Sequence, residues 1–116
     1  MDIKNLATDM DSIVAQGAIV AAVEKYFAED ANTSDYNQVT TTGKEQMVEK
    51  MTGFASAIAQ VNGIQLHRTI VDGNVSASEF TFDFLMKDNS RVYWHEIIRR
   101  IWNDEGKVVH EEYFNA

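Results

Sequence analysis

The hydrophobic pattern of this chain changes period near its middle. In the first half apolar residues recur every three or four positions, and in the second half every two. The first spacing is that of an amphipathic helix and the second that of a strand. Ile3, Leu6, Ala7, Met10, Ile13 and Val14 predict a first helix, which Gly17 loosens. Ile19, Val20, Val23, Tyr26 and Phe27 continue the stripe as a second helix, up to the polar run AEDANTSDYNQ. That run predicts a loop, with room for a short strand around Asn32–Tyr36. Thr42 followed three residues later by Glu45 is a capping-box pattern, and it announces a third helix. Its inner face would carry Met47, Met51, Phe54, Ala55, Ile58 and Val61, and Asn62-Gly63 would end it.

Four strand-like segments follow: GIQLHRTIV, NVSASEFTFDFLM, RVYWHEIIRRIW and KVVHEEYFNA, separated by the turn formers DG, KDNS and NDEG. Three successive hairpins make an antiparallel meander. Helices first and a meander afterwards predict an α+β domain spanning residues 1–116, with three helices on one face of the sheet.

Register decides which side chains share a face, because a slip of one residue exchanges the faces. Pairing Val71 with Val75 puts Ile64, Leu66 and Ile70 on one face with Phe80, Phe82 and Phe84. Gln65, His67 and Thr69 then share the other face with Glu79, Thr81 and Asp83. The Phe face is expected to meet the helices. Pairing Trp102 with Val108 in the last hairpin groups Trp94, Glu96, Ile98, Arg100 and Trp102 with Val108, His110, Glu112 and Phe114. Tyr93, His95, Ile97, Arg99 and Ile101 group with Val109, Glu111 and Tyr113. Both faces of this hairpin mix apolar and polar residues, so alternation alone does not orient it.

Composition narrows the chemistry. The chain has 116 residues, 45% of them hydrophobic, enough for one real core. It has no cysteine, which excludes disulfides, thiolate ligands and thiol nucleophiles. A net charge of −8 without a basic stripe argues against nucleic acid as a partner. Neither a signal peptide nor a membrane span is visible, so a cytoplasmic protein is expected. No glycine run cradles a phosphate, and no serine sits in a nucleophile elbow. His67, His95 and His110 are placed on three strands, two facing out and one in, so neither a metal nor a cofactor is expected.

The order of helices, then AEDA, TGKEQM, HRTIVDGNVSASEFTF and RIWNDEGKVVHEEYFNA, resembles the SnoaL-like branch of the nuclear transport factor 2-like superfamily over nearly the whole chain. The resemblance implies a curved, mainly antiparallel sheet wrapped round the helices into a cone with a pocket, and a dimer. It turns the Trp102 and Val108 side toward the pocket, with Arg100, His110, Glu112 and Glu96 at its polar end. His110 and Glu112 match the histidine and acid, two residues apart, that close polyketide-cyclase-like members. Asp35 sits where ketosteroid isomerases carry their base, but the oxyanion-binding pair of those enzymes is unmatched, with Asp11 and Ile98 nearest to it. Phe80 and Phe82 replace the arginine–acid pair of limonene-epoxide-hydrolase-like members, which disfavours epoxide hydrolysis.

The site expected from these readings has apolar walls of Met51, Phe54, Phe80, Phe82, Phe84, Trp94 and Trp102. It would bind a small apolar organic molecule. Glu112 would act as acid–base, His110 as its partner and Arg100 as stabiliser of negative charge, with Asp35 a further candidate base. Plainer readings stand beside each role: an Arg100–Glu112 ion pair plugging a closed cavity, a satisfied His110, and Asp35 as a turn former. The function expected is a cofactor-free acid–base enzyme of cyclase or isomerase type on a carbonyl or cyclic substrate. The alternative is a non-catalytic dimeric binding or accessory protein. Ile97, Ile101, Val109 and Tyr113 would form an apolar outer patch for the homodimer contact.

Overall fold

A computed structural model describes residues 2–35 and 38–116. Helices α1 (Ile3–Ala15) and α2 (Ile19–Tyr26) lead into strands β1 (Phe27–Asp35) and β2 (Gln38–Thr42). Helix α3 (Lys44–Ser56) precedes β3 (Ile58–Asp72), β4 (Val75–Met86), β5 (Arg91–Trp102) and β6 (Val108–Asn115). The six strands form one curved, unclosed sheet in the order β2-β1-β6-β5-β4-β3. Among the described residues only the β1–β6 pairing is parallel; the meander from β3 to β6 is antiparallel as expected.

The helices cover the concave face. Along β4 burial alternates residue by residue, with Ser76, Ser78, Phe80, Phe82, Phe84 and Met86 turned toward the helices. Met10 and Val14 of α1, Val23 and Tyr26 of α2 and Met47 of α3 meet them in one core. Side chains of the size of Phe each contribute roughly 1.5–3 kcal/mol when fully buried, so this layer dominates the stability. Trp102 is anchored twice: its Nε1 donates to Ser76 Oγ at 2.9 Å, and its ring meets Tyr26 edge-on at 5.6 Å. Among the described residues no helix is long and apolar enough to cross a membrane.

Three expectations are corrected here. Helix α3 stops at Ser56, six residues before Asn62, and Ile58–Gly63 is strand. The far end of β4 is the reason: Ile58 pairs with Met86 and Val61 with Phe84, so this segment gains ladder hydrogen bonds that a longer helix would leave unmade. The Thr42/Glu45 capping box does not form; Gly43, at φ 90°, occupies the N-cap position, and Gln46 Oε1 instead accepts from the Thr42 amide at 3.4 Å. The polar run expected as loop is the nine-residue strand β1, because it fills the slot between β2 and β6 and buries Ala31, Thr33 and Ser34. The short strand expected there lies within it, apart from Tyr36, which is outside the described residues.

The β3–β4 hairpin also departs from its expected register near the turn. Asp72, not Val71, pairs with Val75, leaving Gly73 and Asn74 as a two-residue turn with Gly73 at φ 61°. A bulge between Leu66 and Arg68 restores the expected pairing of Leu66 with Phe80 and Ile64 with Phe82. Between turn and bulge the faces are exchanged. Thr69 points in, and Ile70, expected on the Phe face, is 59% exposed.

Candidate functional site

The facing of β6 fixes the polar chemistry, and one residue changes it. Trp102 pairs with Val108 as expected, but Ile101 then pairs with His110 and Arg100 with Glu111. Val109 is the extra residue of a bulge. From there onward Glu111 and Tyr113 face the helices, while His110, Glu112 and Phe114 face outward. This corrects the expectation that His110 and Glu112 turn toward the cavity and Tyr113 toward the outer patch. The slip gives Arg99 and Arg100 of β5 a carboxylate of β6 each. Buried Arg100 takes Glu111, and Arg99 on the outer face takes Glu112. In the unslipped register buried Arg100 would stand opposite His110 and lose Glu111, one of its two acid partners.

A cavity of about 430 Å³ lies between the three helices and the concave face. Its apolar wall includes Met51, Phe54, Phe82, Phe84 and Trp94 from the expected set, with Met10, Val14, Val23 and Ile98. Phe54 stacks on Trp94 with ring centroids 5.6 Å apart, and meets Phe84 edge-on. Trp94 is 44% exposed, which places it at the rim of the cavity. Phe80 and Trp102, expected in the wall, are fully buried in the core and do not line the cavity.

Asp35, Glu96, Arg100, Glu111 and Tyr113 gather at the polar side of this space, with Lys50 from α3. Arg100 is the hub. Its Nε donates to Glu111 Oε2 at 2.8 Å, and its Nη1 donates to Asp11 Oδ1 at 2.6 Å. Asp11, on α1, is completely buried and also accepts from Ser78 Oγ at 2.5 Å and Thr69 Oγ1 at 2.6 Å. Tyr113 donates its hydroxyl to the other oxygen of Glu111. Burial alone would drive the Arg100 guanidinium toward neutrality. The charges of Glu111 and Asp11 outweigh it and hold the Arg100 pKa above its ordinary value. Burial and the Glu111 charge likewise push the Tyr113 phenol upward.

Among the described residues Glu96 has no such cationic partner. Burial, then the charges of Glu111 and Asp35, push its carboxyl up to about 7. Asp35, expected as a candidate base, thus reaches the cavity and acts on the charge state of Glu96. His110 and Glu112 form a different group outside. His110 Nδ1 contacts Asn32 Oδ1, its Nε2 lies 3.1 Å from Glu112 Oε1, and Arg99 holds the Glu112 carboxyl below its usual range. All three histidines therefore lie away from the cavity, which corrects the expectation that one faces in. The sequence carried one signal for the missed hub: Asp11 sits in an apolar helical stripe between Met10 and Val14.

This architecture recurs among solved structures. A protein from Mesorhizobium loti described as a SnoaL-like polyketide cyclase is 27% identical, with a TM-score of 0.85 over 98% of this chain and 99% of that one. A cystatin-fold protein from Novosphingobium aromaticivorans matches with a TM-score of 0.83 at 15% identity, covering 99% of both chains. AclR from Streptomyces galilaeus, described as a hydroxylase, matches with a TM-score of 0.77 at 17% identity, over 98% of this chain and 88% of that one. No protein-family model and no curated protein matches the sequence.

Proposed function

We infer a function from the fold that the chain shares with SnoaL-like polyketide cyclases and ketosteroid-isomerase-like proteins of the nuclear transport factor 2-like superfamily. We propose that it binds a small, largely apolar organic molecule in the cavity and moves a proton on it without a cofactor, with Glu96 as the acid–base. The observation that carries this reading is the Glu96 carboxyl, raised to about 7 in a mainly apolar space. Near neutral pH such a group is present in both protonation states, the condition under which general acid–base catalysis is most effective. The name of the Mesorhizobium protein agrees with a carbonyl or cyclic substrate. Arg100 is committed to Asp11 and Glu111, so its part is to hold Glu111, and with it Tyr113, in place beside the ligand. Two buried carboxylates against one guanidinium leave this end negative, which favours neutral ligands with hydrogen-bond donors over carboxylic acids.

The test is a thermal-shift screen of neutral ketones, phenols and carboxylic acids, followed by turnover assays with Glu96→Gln. A ligand at about 100 times its Kd stabilises by about 2.7 kcal/mol, a shift of several degrees. Stabilisation by neutral compounds, with turnover lost and binding kept in Glu96→Gln, is the expected result. Preference for carboxylic acids, or turnover undiminished in the variant, would overturn it. A second reading, a non-catalytic binding protein, is favoured by the full engagement of Arg100, which leaves that cation unavailable to a developing oxyanion. Under it, ligands bind the parent and Glu96→Gln without turnover by either.

The homodimer expected through the outer sheet face is also part of this proposal, with the patch redrawn. Ile97 and Ile101 remain in it, and Phe114 takes the place of Tyr113. Light scattering at micromolar concentration should give the mass of two chains, and Ile101→Lys should halve it.

A further inference from the structure

The convex face of the sheet carries a second constellation that the cavity does not use. Strands β3, β4 and β5 lie side by side, and Thr81 pairs with His95 across β4 and β5. His67 falls at the β3 bulge and turns its ring onto the same patch, its Nε2 2.7 Å from Thr81 Oγ1. His95 Nε2 lies 2.6 Å from Glu79 Oε2, and the two imidazoles meet edge-to-face with centroids 5.4 Å apart. One ligand-type atom from each of His67, Glu79 and His95 therefore lies within 4.8 Å of the other two.

We propose that His67, Glu79 and His95 form a binding site for a divalent transition-metal ion of the zinc, copper or nickel class. Two imidazole nitrogens and one carboxylate oxygen suit these borderline ions, whereas magnesium and calcium favour all-oxygen shells. Bonds of about 2.0–2.1 Å in a tetrahedron put neighbouring donors about 3.3 Å apart. The widest separation here must close by about 1.5 Å, within reach of side-chain rotation because the three residues stand on the open face of adjacent strands. The His95 side chain is 44% exposed, so the ion has a path in from solvent.

A supporting contact is already in place. Arg68 Nε bonds Glu79 Oε1 at 2.9 Å, which orients the carboxylate and leaves Oε2 aimed at His95. Three protein donors leave a tetrahedral ion one position for water or for a group from a partner. The ligands are 12 and 16 residues apart, on three strands, so no short spacing motif announces them. Only the bulge and the sheet order bring them together.

The test is isothermal titration calorimetry of the protein, stripped with chelator, against zinc, nickel and magnesium chlorides. Variants His67→Ala, His95→Ala and Glu79→Gln are compared with His110→Ala, which removes an imidazole elsewhere on the same face. The expected result is one zinc or nickel ion per chain with micromolar affinity and no heat from magnesium. Affinity should fall by roughly tenfold or more in each ligand variant and stay unchanged in His110→Ala. Circular dichroism of each variant establishes that the fold persists. Absence of zinc and nickel binding in the parent, or equal binding by His67→Ala, would overturn the proposal. None of these residues lines the cavity, so the outcome is independent of the proposed proton transfer there.

Discussion

Arg100→Met removes the cation of the Asp11–Arg100–Glu111 network while keeping most of the side-chain volume. The Arg100 side chain is 1% exposed, Asp11 0% and Glu111 6%, so water cannot take over the role of the guanidinium. Deleting one partner of a buried ion pair costs about 3–5 kcal/mol, because the remaining charge stays desolvated and unpaired. The unfolding entropy of a 116-residue chain makes each kcal/mol worth about 4 °C, so the Tm should fall by roughly 12–20 °C. Urea unfolding followed by tryptophan fluorescence measures this. Combining Arg100→Met with Asp11→Asn and Glu111→Gln should recover a large part of the loss. A loss below about 1 kcal/mol in the single variant would refute the account of a buried, mutually compensating network.

Glu96→Gln should stabilise the protein at neutral pH. The folded pKa of Glu96, about 7, lies above its ordinary 4.5, so the parent loses stability as pH rises from about 4.5 to 7. The advantage of the glutamine variant should grow across that window, up to about 3 kcal/mol, and level off above it; urea midpoints at stepped pH read it out. Tyr26 is pushed up to about 12 by burial and by its 2.5 Å hydrogen bond to Asp9, and Tyr113 is also raised. Spectrophotometric titration to pH 11 should therefore leave Tyr26 and Tyr113 largely un-ionised in the folded protein. Tyr26→Phe and Tyr113→Phe should each remove one of these late phenols. Val109 deletion should remove the bulge while leaving Glu111 opposite Arg100, at a much smaller loss than that of Arg100→Met by the same unfolding assay.

Local pattern made much of the fold legible. The 3.6-residue stripe of Ile3 to Val14 and the alternation of Phe80, Phe82 and Phe84 each encode one face of one element. Burial of that face against the other layer is the largest free-energy term available to the chain. Turn residues such as Gly73 and Gly106 set the hairpins because their positive φ is accessible at little cost only to glycine. The polar strand β1 was not legible in this way. Its pairing with β2 and β6 satisfies backbone groups, and any residue supplies those.

The candidate site depended on two single-residue bulges, at His67 and at Val109, and alternation contains no information about a bulge. Whether Glu111 or Glu112 faces inward is decided by which arrangement leaves fewer buried charges unpaired. That sum includes Asp11 from a helix nearly ninety residues earlier in the chain. The sequence by itself determined the layers, the meander and the apolar character of the cavity wall. Tertiary structure alone decided the identity of the polar residues in it and the meeting of His67, Glu79 and His95, because both follow from long-range electrostatics and strand register.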